Sequence, residues 1–169
     1  MIPQFICSIP FRIEDGEARY VVMERTPDEN VGPGFWQFVT GTHPNEEWSP
    51  ITALREVEEE CGLRPVRLYA VDHIHRIWLA KQDRIIHGPV FAAELPQGQV
   101  VLSEEHSAYK WESCEEAMKT LRRRSQRQSL AAFHEDIVEG DRWDEFRLWD
   151  AQDGWLFYAP PSDTIDRRI

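Results

Sequence analysis

Residues 41–63, GTHPNEEWSPITALREVEEECGL, run from a polar loop into the most regular helical pattern in the chain. Ile51, Leu54, Val57 and Cys61 recur at three- and four-residue spacing, which gives the helix one buried face. Ser49 is placed to cap the free amides at its start, with Pro50 as the first helical residue. Gly62 ends it, because glycine enters the left-handed conformation at little steric cost. At about 100° per residue, Glu56, Glu59 and Glu60 fall within roughly 100° of arc, while Glu58 points elsewhere, to solvent. Arg55 is the one cation of this run, within reach of Glu59 on the helix and of Glu47 in the preceding loop.

Like charges one turn apart destabilise a helix. Three carboxylates on one face are therefore either a solvated acidic surface or a site that expects a cation. Oxygen-only donors suit hard divalent ions, and Mg2+ is commonly held by a few carboxylates together with substrate phosphates.

Outward from this segment, Phe5–Arg12 and Ala18–Arg25 read as strands joined by a turn over Glu14–Glu17, and Phe35–Thr40 as a short aromatic strand after a loop over 27–34. Leu63–Leu79 and Arg84–Leu95 read as strands around a turn at 81–83, with further short strands at Val100–Leu102 and Ser107–Trp111. Ser113–Arg122 and Gln126–Glu139 read as helices, the first capped by Ser113 with Glu116 three residues on. The tail after Asp141 is rich in Trp and gives only a strand signal at Trp155–Tyr158. Strands on both sides of a central helix, with helices late in the chain, predict an α/β fold in one domain over 1–169 with an aromatic extension at about 141–169.

Composition narrows the function classes. Thirty Asp and Glu against 19 Lys and Arg give a net charge of −11, which argues against binding nucleic acid polymers or anionic membranes. Three widely spaced cysteines offer neither a CxxC zinc pair nor a disulfide framework. No secretory or membrane segment is evident, so a soluble cytoplasmic protein is expected. Trp143, Trp149 and Trp155 in the tail cover either the core or an interface, leaving a monomer or a homodimer open.

Gly41, Glu47, Arg55, Glu56, Val57, Glu59, Glu60, Gly62 and Leu63 match G-x5-E-x7-R-E-U-x-E-E-x-G-U at every specified position, U being a bulky aliphatic residue. The segment resembles the signature of the Nudix hydrolases. That resemblance implies an α/β/α sandwich with a mixed central sheet and cleavage of nucleoside-diphosphate-like bonds with Mg2+, or Mn2+ in its place. It implies a metal group of Glu56, Glu59 and Glu60, with the carbonyl of Gly41 as a further ligand, and an ion pair of Glu47 with Arg55 tying loop to helix. Val57 and Leu63 would pack in the core. In such a site the cation offsets phosphate charge and acidifies a bound water, and a carboxylate accepts the proton. Glu59 and Glu105 are the candidates for that base, and Arg55 completes the catalytic set.

FWQFVTG (35–41), EEHSAYKW (104–111), Thr42 and Arg127-Gln128 are similar to the folate-pathway Nudix subgroup acting on dihydroneopterin triphosphate. In that subgroup the position of Glu105 belongs to the metal site. The E-H-x-x-Y-[KR]-W pattern also occurs in diadenosine tetraphosphate hydrolases and dATP pyrophosphatases, which leaves these substrates as alternatives. A nucleotide-sensing module without turnover is a further alternative. Arg25, at the end of a strand, and Lys110 are candidates for substrate phosphate, against plain surface cations. Trp36 or Phe35 is a candidate for stacking on a heterocycle, against a place in the core. His73, His75 and His106 are expected as ordinary polar residues, Arg122–Arg124 with Arg127 as a solvated helix end, and Cys61 as a small core residue.

Overall fold

The computed structural model describes residues 3–27, 34–44 and 47–156. The first hairpin joins β1 (Phe5–Glu14) to β2 (Glu17–Arg25) through Asp15 and Gly16. Both turn residues are left-handed, at φ 50° and 83°, the conformation that matches the twist of the flanking strands. β1 and β2 pair only over Phe11–Glu14 and then diverge. Into the gap go β3 (Phe35–Gln37), paired with β2, and β4 (Val39–Thr42), paired with β1, on either side of buried Phe38.

β6 (Arg84–Glu94) lies parallel to β1 and antiparallel to β5 (Arg67–Leu79), while β7 (His106–Glu112) covers the other edge of β2. α1 (Ser49–Cys61) packs on one face of this mixed sheet. The other face carries α2 (Cys114–Thr120), α3 (Arg124–Phe133) and α4 (Trp143–Phe146). The expected α/β/α arrangement is the one observed. Because both faces are covered, the central strands are apolar almost throughout instead of alternating with polar residues. Cys7, Ile9, Phe11, Tyr20 and Val22 face α3, whereas Ile6, Val21 and Met23 face α1 together with Leu54, Val57 and Cys61.

Several expected boundaries move. Trp48, not Ser49, occupies the N-cap position of α1, and Ser49 is its first helical residue. Gly62 closes it as expected, left-handed at φ 65°, and an added Cβ there would also lie 2.8 Å from Val101. The aromatic strand is split into β3 and β4, and β5 starts at Arg67 instead of Leu63. Val100–Leu102 forms no strand; Val100 is buried against the α1 layer and Val101 N–H donates to the Cys61 carbonyl at 2.9 Å. The helix expected over 126–139 is α-helical only to Phe133, with His134–Glu139 wound as a π-helix. α2 has the expected capping box between Ser113 and Glu116.

The tail holds the largest surprise. β8 (Arg147–Asp150) extends the sheet beyond β5, and β9 (Gly154–Trp155) follows it; Phe157 and Tyr158 of the expected strand lie outside the described residues. Arg67 fixes β8 by donating to Asp150 at 2.8 Å and to Glu94 at 3.1 Å. Trp143 stacks on Phe11 and meets Tyr69 and Phe133 edge-on. Trp155 sits 4.6 Å from Trp48 and 6.2 Å from Trp149, ring centre to ring centre. All three tail tryptophans therefore pack against the chain's own core and the start of α1.

Candidate active site

The last turn of α1 faces Arg25 at the end of β2 and His106 at the start of β7. Close approach of α1 to β4 depends on Gly41, since a Cβ there would overlap the Glu56 side chain. Loop and helix are tied by Arg55, whose Nη2 donates to Glu47 at 3.1 Å, while the Thr52 hydroxyl reaches the same carboxylate at 2.6 Å. Burial raises the Glu47 carboxyl, but the hydrogen bonds from Arg55 and Thr52 outweigh it and hold the group below its usual range. The other edge of the Arg55 guanidinium lies 2.8 Å from Glu56 and 3.1 Å from Glu59.

A β-bulge shapes the opposite wall. Ala108 lies across from Glu24 but His106 from Arg25, so Ser107 is an extra residue and its hydroxyl bonds the Glu24 carboxylate at 3.3 Å. Bulges of this kind redirect side chains at the margin of a sheet. Here Glu105 comes 3.4 Å from the Arg25 guanidinium, and the His106 ring comes 3.8 Å from Glu60. Thr26 ties down this stretch by donating its N–H to the Glu105 carbonyl at 2.8 Å.

The carboxylates differ sharply in setting. The Glu59 side chain is 57% exposed and that of Glu105 60%, whereas that of Glu60 is 8% exposed. Burial, then the charges of Glu56 and Glu105, push the Glu60 carboxyl up to about 9. Glu56 is raised by burial too, offset in part by Arg55. Glu60 Oε2 is buried without a hydrogen-bond partner, as are both ring nitrogens of His106. Burial, with Arg25 nearby, holds the His106 imidazole down to about 4, so it brings no positive charge to Glu60 at neutral pH.

A buried, unsatisfied carboxylate oxygen costs several kcal/mol if ionised without a counter-charge. Glu60 beside Glu56 thus fits a divalent cation, and oxygen donors fit Mg2+ or Mn2+. Among the described residues no three His, Cys, Asp or Glu side chains form a ready-made metal cage.

The structure brings together Gly41, Arg55, Glu56, Glu59, Glu60, Arg25 and Glu105 of the expected site residues. Trp36 and Lys110 meet each other, the Lys110 ammonium 4.3 Å above the Trp36 ring, but Trp36 packs with the core cluster on the α3 side of the sheet. Arg127 donates to the carbonyls of Leu121 and Arg122 at the end of α2, and Arg123 lies 4.7 Å over Phe35. The pairing of β5 with β6 shifts register after Val71, but inward and outward residues go on alternating: His73 is half-buried, and His75 is fully buried, edge-on to Phe5, and held down to about 4 by burial. His106, expected as an ordinary polar residue, instead borders Glu60. Its position next to Glu105 was the signal available for it.

The NUDIX domain family matches residues 8–133, and the chain belongs to that family. Over 128 residues it is 28% identical to dihydroneopterin triphosphate diphosphatase of Escherichia coli K12, covering 68% of this chain and 82% of that one. It is 35% identical over 108 residues to an octanoyltransferase of Myxococcus xanthus, a match spanning 62% of this chain but only 29% of that longer protein. Among solved structures, a Listeria monocytogenes protein assigned to the NUDIX hydrolases superposes with a TM-score of 0.68 at 29% identity, covering 82% of this chain and 97% of that one. Among the described residues no helix is long and apolar enough to cross a membrane.

Proposed function

We propose that the chain is a divalent-cation-dependent pyrophosphohydrolase that cleaves a nucleoside-triphosphate-like molecule to a monophosphate and pyrophosphate. The observation that carries this reading is the buried, unpartnered oxygen of Glu60 set beside Glu56 within the complete motif. Glu56, Glu59, Glu60 and Glu105, with the Gly41 carbonyl, would hold Mg2+ or Mn2+. When bound, the ion offsets phosphate charge and lowers the pKa of a coordinated water.

The chain's own residues supply the rest. Exposed Glu59 and Glu105 are placed to accept a proton from an attacking water. Arg25 faces the same space and offers a fork of donors to a phosphate oxygen. Arg55 sets Glu47, Glu56 and Glu59 relative to one another, so its loss would disorder the donors before it touched any substrate. Trp36 and Lys110 would serve only a substrate long enough to pass from the carboxylates to the α3 side.

Dihydroneopterin triphosphate is the leading substrate, supported by likeness to the E. coli diphosphatase over most of that protein's length and by the EEHSAYKW segment. dATP and other nucleoside triphosphates come next. Diadenosine tetraphosphate is the alternative, on the strength of the same segment. The test is a hydrolysis panel of these compounds with Mg2+, with and without chelator, products identified by mass. Chelator-sensitive release of pyrophosphate, with kcat/KM highest for the pterin, is the expected result. Preference for diadenosine tetraphosphate would replace the substrate, and binding without turnover would make the chain a sensor.

A further inference from the structure

Arg122, Arg123 and Arg124 follow α2 and run into α3, with Arg127 one turn later. Expected as a solvated helix end, the run instead crowds the start of a helix. Arg127 turns away from it, back to the carbonyls of Leu121 and Arg122. α3 opens with no side-chain cap and no acidic residue in its first turn. Negative groups are favoured at a helix start and positive ones are not, so this arrangement is unfavourable as it stands.

The same residues wall an open recess of about 480 Å³, lined by Arg123, Arg124, Ser125 and Gln128 at the start of α3 and by residues 76–78 of β5. That size lies in the range of small-molecule sites. No acidic side chain lines it. Arg76, Arg123 and Arg124 have no ion-pair partner among the described residues, although the chain holds 30 Asp and Glu against 19 Lys and Arg. Arg12, Arg19, Arg55, Arg67, Arg142 and Arg147, by contrast, each meet a carboxylate.

Arg123 is the most confined of the three. Its guanidinium lies 4.7 Å over the Phe35 ring, and burial lowers it below its ordinary range with no carboxylate acting against that. Planar guanidinium forks match phosphate oxygens two bonds at a time. Arg76 comes from a different element, so the charges border the recess from two walls and do not merely follow one helix. Three uncompensated cations in a small recess suit a compact ligand with two or more negative charges. A long polyanion suits it less, because beyond the recess it would meet a chain of net charge −11.

We infer that this recess binds a di- or triphosphate group through Arg76, Arg123 and Arg124, as a second anion site that shares no residue with the carboxylate cluster. It does not depend on the hydrolase reading, because none of its residues is a proposed metal ligand and it needs no cation. The group arrives either as a free diphosphate or on a nucleotide. Trp78, which lines the recess and is 63% exposed, offers a ring to a base in the second case.

The test is calorimetric titration of inorganic pyrophosphate into the full chain in buffer stripped of divalent ions, where the carboxylate cluster repels anions. The expected result is binding at a single site, with a rise in the thermal midpoint on saturation. Arg76→Thr and Arg124→Ser should each weaken it at least about tenfold, the scale of one lost charge-assisted contact. Arg124→Ser should also raise the midpoint of the ligand-free chain, because it takes a cation from the start of α3. Arg142→Ser removes a positive charge paired with Glu145 and should leave pyrophosphate affinity within about twofold. All three side chains are exposed, and circular dichroism checks that each variant is folded. ADP is the second titrant. Equal affinity for ADP and pyrophosphate supports recognition of the diphosphate alone, and tighter ADP binding that Trp78→Ser abolishes supports a nucleotide. No binding of either up to about 1 mM, or unchanged affinity in folded Arg76→Thr and Arg124→Ser, would overturn the proposal. So would binding lost in Arg25→Ser but kept in Arg76→Thr, which would put the anion beside Glu105.

Discussion

The two faces of the sheet spend their side chains differently. The α3 face is built mainly of rings in contact: Phe11, Tyr20, Tyr69, Phe133 and Trp143 meet at ring-centre distances of 4.9–6.2 Å, and the Tyr20 hydroxyl bonds His134 at 2.7 Å. The α1 face ends in three carboxylates, an unpartnered Glu60 oxygen and a His106 ring without hydrogen bonds. One face maximises packing, and the other keeps unfavourable charge together at a defined place. Crowded, poorly satisfied groups held in this way are what a site for charged ligands needs, and the well-packed face supplies the stability that tolerates them.

That contrast makes opposite predictions for the two faces. Glu60→Gln should lower kcat/KM on the preferred substrate about 1,000-fold, roughly 4 kcal/mol of barrier, while raising the thermal midpoint in metal-free buffer. The sign follows from its carboxyl, which rises from 4.5 to about 9 on folding. The folded chain holds the extra proton between those values, so wild-type stability declines as pH climbs through that window, and the variant should lose this decline. Phe133→Ala on the α3 face should behave in reverse. It should cost about 3–5 kcal/mol of stability by denaturant unfolding and leave the pH and metal dependence of the remaining folded enzyme intact.

Smaller effects test the supports. Gly62→Ala should destabilise by about 1–2 kcal/mol, since it places a side chain at positive φ and against Val101. Ser113→Ala, far from the carboxylates, should cost about 1 kcal/mol through the lost cap and leave kcat/KM unchanged. On the acid side, His75 and His106 are held down to about 4 from 6.5. The unfolded chain binds more protons between those values, so stability is lost as pH falls through them. His75→Phe should flatten part of that loss in a pH series of urea melts.

Much of this was legible from residue types. The motif helix and its terminating Gly62 declare themselves because spacing, the closing glycine and charge crowding agree within residues 41–63, although the expected Ser49 cap does not form. The face on which Glu56, Glu59 and Glu60 lie follows from helix geometry alone. The Ser113 cap was readable for the same local reason. β8 and β9 were not, because Arg147–Asp150 is short and its strand state depends on the partner edge of β5 and on Arg67. The Ser107 bulge was equally hidden, and with it the turn of His106 toward Glu60. Trp36 and Lys110 are candidate site residues by side-chain type, a ring to stack and a cation for phosphate, but which face of β3 and β7 they occupy depends on pairing register, which composition does not encode. The tail tryptophans read equally as core or interface because nothing local says that Trp155 meets Trp48, more than 100 residues away.

The most direct measurement is calorimetric titration of Mn2+ into the metal-free wild-type chain and into Glu60→Gln, with thermal melts of both before and after loading. Binding to the wild type, weakened at least about tenfold in the variant, together with a metal-induced rise in the midpoint that is largest for the wild type, is the predicted result. Equal affinity in the two chains, or no uptake by the wild type, would contradict the assignment of Glu60 and its neighbours as the seat of a divalent cation.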